Sequence, residues 1–121
     1  LRVSKALNYS GNPIPVVSGQ TYKGADNKNY FLSSSKLYNY IKKTFGAPTI
    51  HLTQTDGGVN GQNFNSHLVG HKGIYIMQAA SPALFLALGH CTLYDGSDCI
   101  GGHNFFNAKG GVTSISLWVL N

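Results

Sequence analysis

Residues 88–99 read LGHCTLYDGSDC, and this stretch decides how the second half of the chain is expected to fold. Its first half alternates between apolar and polar positions, which is typical of a β-strand with one buried face. The Asp-Gly pair that follows is a common hairpin turn signal. The stretch therefore predicts a strand that ends in a turn. It also sets His90 beside Cys91, as in a thiol active site, and adds a second cysteine, Cys99, that could close the hairpin as a disulfide.

Two other segments have the composition of strands. Residues 73–80 (GIYIMQAA) and 114–121 (SISLWVLN) are rich in β-branched and aromatic residues. Together with residues 88–95 they predict an antiparallel sheet, to which residues 104–106 are expected to add a short partner strand.

Helices are expected earlier in the chain. Residues 1–8 have apolar side chains at roughly helical spacing and predict the tail of a helix whose start lies outside this sequence. Residues 33–45 predict a second helix, with serines that can cap its start and a glycine and a proline after its end. Residues 53–71 contain a polar, glycine-rich run and predict a surface loop. Helices followed by strands indicate a single α+β domain over residues 1–121, with N-terminal helices packed on an antiparallel sheet.

Composition narrows the classes of partner. The chain has 121 residues, of which 11% are charged, and a net charge of +5, which favours anionic partners. Eight of the nine cationic residues are lysines spread along the chain, and a single arginine cannot form a base-reading cluster, so nucleic acid is not expected. No apolar run approaches the roughly 18 residues of a membrane span. The abundance of uncharged polar residues and glycine favours a secreted protein.

The residues alone leave the chemistry of the 88–99 stretch open. An imidazole can serve as the general base of a cysteine hydrolase, but a hydrogen-bonded surface histidine fits His90 as well. Side chains of neighbouring strand residues point to opposite faces, so Cys91 is not expected to be the partner thiol of His90. Cys91 and Cys99 flank the turn almost symmetrically, which is compatible with a disulfide and also with two buried free thiols.

A metal site is not expected. His67 and His71 are four residues apart, as in some helical metal sites, but a glycine lies between them and no acidic residue is nearby. Asp26 lies in a loop that lacks the glutamate of a calcium site, because the chain contains no glutamate, and it is interpreted as a turn residue. No cofactor is predicted.

Taken in order, several segments resemble a known family. LRVSKALN (1–8), YFLSSSKLYNYIKKTFGAP (30–48), HKGIYIM (71–77), GHCTLYDGSDC (89–99) and SISLWVLN (114–121) are similar to the fourth family of type VI secretion amidase effectors. These are small papain-like, NlpC-type cysteine hydrolases of bacterial peptidoglycan. The resemblance runs over nearly the whole chain, and its most specific parts are R-x-S-x-A-L-N and G-H-x-x-L-(aromatic)-D-G-S-x-C. It implies a papain-like, NlpC-type α+β fold.

The resemblance also implies roles for particular residues. The family's nucleophilic cysteine would stand three residues before Arg2 and therefore outside this sequence. The catalytic histidine corresponds to His90. The position of the family's acid reads Gly101, and a cysteine that many relatives carry two residues later reads His103, so Cys91 becomes the alternative disulfide partner of Cys99. The candidates for the missing acid's role, which is to orient His90, are His103 first and then Asn104 and Asp98.

The implied reaction is cleavage of the peptidoglycan stem peptide between D-glutamate and meso-diaminopimelic acid. It implies secretion, action in the periplasm or cell wall of target bacteria, a cognate immunity protein and, as one alternative, an associated N-terminal fragment that carries the cysteine. A chain without that cysteine is expected to be inactive by itself. The alternative is a non-catalytic derivative of the fold that binds peptidoglycan or a protein, which the departure at Gly101 favours.

Overall fold

The computed structural model describes residues 2–120. Its elements are, in chain order, α1 (Arg2–Tyr9), β1 (Thr21–Lys23), β2 (Asn29–Phe31), α2 (Ser34–Phe45), β3 (Ile50–Thr53), α3 (Gln54–Gly57), α4 (Phe64–Leu68), β4 (Lys72–Ala79), α5 (Pro82–Phe85), β5 (Gly89–Asp95) and β6 (Val112–Val119). A short 3₁₀ turn, Val59–Gly61, lies between α3 and α4.

A four-stranded antiparallel sheet forms the centre of the fold, with strand order β3-β6-β4-β5. Strand β5 lies at one end of this order and pairs with β4, where His90 stands opposite Met77. Both faces of the sheet are covered, which explains why β4 and β6 are buried along most of their length. The predicted α+β class and antiparallel sheet are confirmed.

Helices α1 and α2 cover one face of the sheet. Ser33 caps α2 by accepting a hydrogen bond from the Lys36 N–H (3.4 Å), and Gly46, with φ of 81°, ends it as glycine readily can. The indole N–H of Trp118 in β6 donates to the Gly46 carbonyl (3.0 Å) and ties the helix end to the sheet. The apolar cluster on this face consists of Val3, Leu7, Ile14, Phe31, Leu37, Tyr38, Ile41, Ile74, Ile76 and Trp118.

Short elements and loops cover the opposite face. The segment predicted as a surface loop, residues 53–71, contains α3 and α4, and Phe64 and Leu68 of α4 are buried against the sheet. The hydroxyl of Tyr94 donates to Asn65 Oδ1 (2.6 Å) and fastens α4 to β5. The prediction of a loop was wrong here, because two buried apolar residues suffice to fold a five-residue helix onto the sheet.

Other predictions for the chain also need correction. The sequence interpretation omitted β3 and the β1–β2 hairpin, which are only three or four residues long. Residues 104–106 do not form the predicted partner strand and lie in a loop instead, because Phe105 has a left-handed backbone with φ of 55°. The predicted first helix is present from Arg2, while Leu1 lies outside the described residues. Between residues 2 and 120, no helix is both long and apolar enough to cross a bilayer.

A polar cluster joins the end of α1 to the β1–β2 hairpin. The hydroxyls of Tyr9 (2.6 Å) and Tyr30 both donate to Asp26 Oδ2, and the Lys28 N–H donates to Asp26 Oδ1 (3.1 Å). The hydrogen bonds from Tyr30 and Tyr9 lower the pKa of Asp26 to about 2, from a usual value of 3.8. The predicted turn at Asp26 therefore also serves as a contact between the helix and the hairpin.

Asp26→Asn is expected to lower the melting temperature at neutral pH. The folded pKa lies below the unfolded one, so the stabilisation is complete above the unfolded pKa and is lost as the pH falls through about 2. Melting temperatures of Asp26→Asn and of the parent protein, measured between pH 7 and pH 2, should converge at the acid end. Asp98→Asn, which alters another exposed carboxylate, is the control, and equal melting temperatures for Asp26→Asn and the parent protein at pH 7 would contradict the prediction.

Candidate active site

A groove opens where α1, the start of α2 and the start of β5 meet. Its volume is about 530 Å³. The lining residues come from three parts of the chain: Arg2; Phe31, Leu32, Ser33, Ser34 and Leu37; and Ala87, Leu88, Gly89, His90 and Cys91. The helix that should carry the nucleophile in the family pattern and the strand that carries His90 thus border one groove.

Arg2 fixes α1 against β5. Its Nη1 donates to Thr92 Oγ1 (3.1 Å) and to the main-chain carbonyl of Ile100 (2.7 Å). Thr92 is fully buried and its hydroxyl also donates to the Ile100 carbonyl (2.9 Å). A guanidinium presents several donors in a rigid plane, so one side chain joins the helix start, the strand and the following loop.

The other polar residues of the R-x-S-x-A-L-N motif hold α1 in place. Ser4 is buried and its Oγ accepts a hydrogen bond from the Phe31 N–H of β2 (3.0 Å). Asn8 donates from Nδ2 to the Asn29 carbonyl (2.6 Å) and accepts at Oδ1 from the Ile14 N–H (2.8 Å). Buried polar groups need partners, and here main-chain groups of the hairpin and of the loop before it supply them. The motif therefore sets the position of α1.

His90 is half-buried at the start of β5. Its ring meets the ring of Phe105 edge to face, with centroids 4.8 Å apart and planes at 80°. Burial lowers the pKa of His90, and the charges of His103 and Arg2 lower it further. A hydrogen bond to the His103 backbone acts in the opposite direction and raises it. At neutral pH the imidazole is therefore neutral, which is the form that accepts a proton from a thiol.

Cys91 does not share the environment of His90. Its Sγ donates to the Ser34 carbonyl (3.6 Å), and the residue packs against the apolar cluster beneath α1 and α2. Burial raises the pKa of the Cys91 thiol to about 12. A thiol that remains protonated at neutral pH is a poor nucleophile, and the expectation that Cys91 is not the partner thiol of His90 agrees with this geometry.

The structure does not bring Cys91 and Cys99 together. Cys99 is buried in the cluster on the opposite face of the sheet, beside Tyr94, and both cysteines are free thiols. Their near-symmetric spacing about the turn suggested a disulfide, but Cys91 points to the face covered by α1 and α2 because strand residues alternate. Burial raises the pKa of Cys99 to about 12 as well.

We expect both thiols to be recovered unpaired. Alkylation after denaturation without reductant should modify Cys91 and Cys99 separately, and peptide mass spectrometry would detect each adduct. In the native protein at pH 7 both should react slowly, because burial raises the two pKa values to about 12. Recovery of a disulfide-linked peptide that contains both residues would contradict the structure.

The three candidates for the residue that orients His90 lie in different surroundings. His103 is exposed, and its ring stacks on Phe105 with centroids 5.5 Å apart. Asn104 uses its Oδ1 to accept from the Phe106 N–H (2.9 Å). Asp98 lies beyond the far end of β5, roughly 16 Å along the strand from His90 at about 3.3 Å per residue, so it does not reach the imidazole. Gly101, with φ of 97°, faces Arg2: a β-carbon built on it would lie 2.6 Å from Arg2 Nη1.

Sequence reasoning gave no role to Thr92, which stands at an unspecified position of the G-H-x-x-L run, or to Phe105, which lies outside the motifs, because each acts through contacts between distant segments. His67 and His71 do not lie on one helix, because α4 ends at Leu68.

The whole-chain comparisons decide the family. A model of the family described as type VI secretion system (T6SS) amidase effector protein 4, Tae4, matches residues 1–118. The chain belongs to the Tae4 family. No curated protein matches it.

Solved Tae4 structures share this fold. Tae4 of Salmonella Typhimurium, crystallised in an effector–immunity complex with Tai4, is 28% identical with a TM-score of 0.79, and the match covers 98% of this chain and 70% of that one. Tae4 of Enterobacter cloacae is 27% identical with a TM-score of 0.75, over 98% of this chain and 69% of that one. This chain is thus a type VI secretion amidase effector with an α+β fold.

Proposed function

We propose that this protein is a papain-like, NlpC-type cysteine amidase that cuts the peptidoglycan stem peptide between D-glutamate and meso-diaminopimelic acid. The nucleophile is the cysteine that the resemblance puts three residues before Arg2, and residues 1–121 supply the rest of a single amidase domain. The observation that carries the proposal is the pair of hydrogen bonds from Arg2 to Thr92 and Ile100, since they fix the start of α1 beside the strand of His90.

Each group then has a chemical task. His90 accepts the thiol proton, the thiolate attacks the peptide carbonyl, and the imidazolium returns the proton to the leaving amine. A cysteine in the first turn of a helix also gains from the helix dipole, which lowers the thiol pKa, and from main-chain N–H groups that can stabilise an oxyanion. His103, the first candidate for the orienting role, contacts His90 through a backbone hydrogen bond, whereas its own charge disfavours the imidazolium. The net charge of +5 suits an anionic cell wall.

The proposal extends to localisation and partner. As an effector of this kind, the protein would be secreted by the type VI system and would act in the periplasm or cell wall of a target bacterium. The Salmonella and Enterobacter relatives are known in complexes with the immunity protein Tai4. We propose that a cognate immunity protein likewise neutralises this effector.

A second candidate is a peptidoglycan-binding module without catalysis. Gly101 favours it, because this position holds no carboxylate to orient His90 and the space beside it is occupied by the Arg2 guanidinium. Digestion of purified peptidoglycan by the full-length protein separates the two candidates. An amidase releases new amino groups and fragments that begin with meso-diaminopimelic acid. A binding module sediments with the sacculi in a saturable manner and releases neither.

A further inference from the structure

The ring of Phe105 joins the two histidines of the site. It meets His90 edge to face (4.8 Å, 80°) and stacks on His103 (5.5 Å, 16°). A third ring, that of Phe85 in α5, meets Phe105 edge to face on the protein side (5.0 Å, 83°). Phe105 is thereby fixed by one aromatic side chain and in turn contacts the proposed base.

The backbone around Phe105 is held in an uncommon conformation. Its φ of 55° is left-handed, which is rare for an aromatic residue. The preceding residue supplies two anchors: Asn104 Oδ1 accepts from the Phe106 N–H (2.9 Å), and the Asn104 carbonyl accepts from the hydroxyl of Tyr75. Tyr75 is fully buried in β4. Strained residues that are held in this way concentrate at functional sites.

The charged groups near the imidazole do not provide the usual orienting contact. Those that act on His90 are Arg2 and His103, which are cationic when ionised, while Asp98 lies at the other end of β5. An acidic orienting group would accept a hydrogen bond from the imidazole and fix its tautomer. In this chain the hydrogen bond to His90 comes from the His103 backbone, and the ring that meets the imidazole, that of Phe105, is apolar.

We propose that Phe105 is a positioning residue that holds the His90 imidazole in its catalytic orientation, in the role for which the family pattern uses an acid. The ring edge-to-face contact limits rotation of the imidazole about its Cβ–Cγ bond and covers one side of it from water. The inference rests on the proposed function, because an orientation matters only if His90 is the base.

The test compares Phe105→Leu and Phe105→Tyr in the full-length protein. Leucine keeps the apolar bulk but removes the aromatic plane, so kcat should fall by about 3- to 10-fold while KM stays within about twofold. Tyrosine keeps the plane and should restore kcat. Phe45→Leu, at the exposed end of α2, is the matched control and should leave both constants unchanged.

A second readout does not depend on turnover. In an NMR titration of labelled histidine, His90 of the parent protein should titrate below 6.5, and Phe105→Leu should move the pKa upward because burial of the ring decreases. Tyr75→Phe, which removes the anchor of Asn104, should shift it in the same direction by less.

The outcomes separate the two claims. If the parent protein does not cut peptidoglycan, the proposed function fails, whatever the spectra show. If the parent protein is active and Phe105→Leu leaves both kcat and the His90 titration unchanged, the positioning role of Phe105 is overturned. If Phe105→Leu and Phe105→Tyr lose kcat equally while both remain folded by circular dichroism, the aromatic plane is not what matters, and the inference is overturned as well.

Discussion

His90→Ala is expected to lower the kcat of the full-length protein on peptidoglycan by about 10²- to 10⁴-fold, which is the usual contribution of a positioned general acid–base group. In the proposed mechanism the His90 imidazole beside the groove accepts the thiol proton, and the raised pKa of Cys91 makes that residue a poor substitute nucleophile. Release of new amino groups from purified sacculi measures the effect. Binding of the substrate should change little, because His90 is only half-buried at the groove wall.

The pH dependence of the parent enzyme follows from the direction of the His90 pKa shift. Burial lowers the pKa, so the imidazole stays neutral to a lower pH than a free histidine, whose pKa is about 6.5.

The matched control for His90→Ala is His71→Ala, which removes an exposed histidine just after α4 and should retain full activity. A His90→Ala protein that stays folded and keeps more than about a tenth of the parent kcat would contradict its role as base.

Gly61→Ala is expected to destabilise the protein by about 3 kcal/mol, from left-handed strain and steric overlap combined. Gly61 is buried with φ of 69°, and a β-carbon there would lie 2.0 Å from the main-chain oxygen of Phe106 and 3.0 Å from the ring of Phe64. The backbone of the loop must move to admit it. Because Phe105 precedes the displaced carbonyl, activity should fall together with the free energy of unfolding.

The control isolates the steric part of this effect. Gly70 has φ of 89°, but a β-carbon there would meet no atom within 4 Å. Gly70→Ala should therefore cost only the left-handed strain, about 1 kcal/mol. Urea unfolding measures the free energy of unfolding that each variant loses. Equal losses in the two variants would show that overlap with Phe106 is not what makes Gly61 necessary.

The long strands could be predicted from the sequence, whereas the short elements could not. β4, β5 and β6 carry seven or eight residues rich in β-branched and aromatic side chains, and each was found within two residues of its expected ends. β3 and the β1–β2 hairpin are too short for a period to be visible. Their place is set by tertiary contacts, as in the pairing of Ile50 with Leu117.

The candidate site could be predicted only in part, because tertiary contacts also determine its geometry. The resemblance singled out His90, although its spacing alone favoured a hydrogen-bonded surface histidine. The contact between His90 and Phe105 joins a strand to a loop fifteen residues later, and no motif encodes it. Sequence spacing also suggested the pairing of Cys91 with Cys99, whereas strand alternation separates them across the sheet.

If His90 activates a thiol at the start of α1, that activation should appear in the rate of thiol alkylation measured against pH. In the full-length protein Cys91 and Cys99 should react slowly between pH 5 and 8, since the pKa of each is raised to about 12, and peptide mass spectrometry assigns the adduct. We expect the upstream cysteine to react well below the ordinary thiol pKa of about 8.5, and His90→Ala to move its profile upward toward that value. Identical profiles in the two proteins would show that His90 does not activate the thiol.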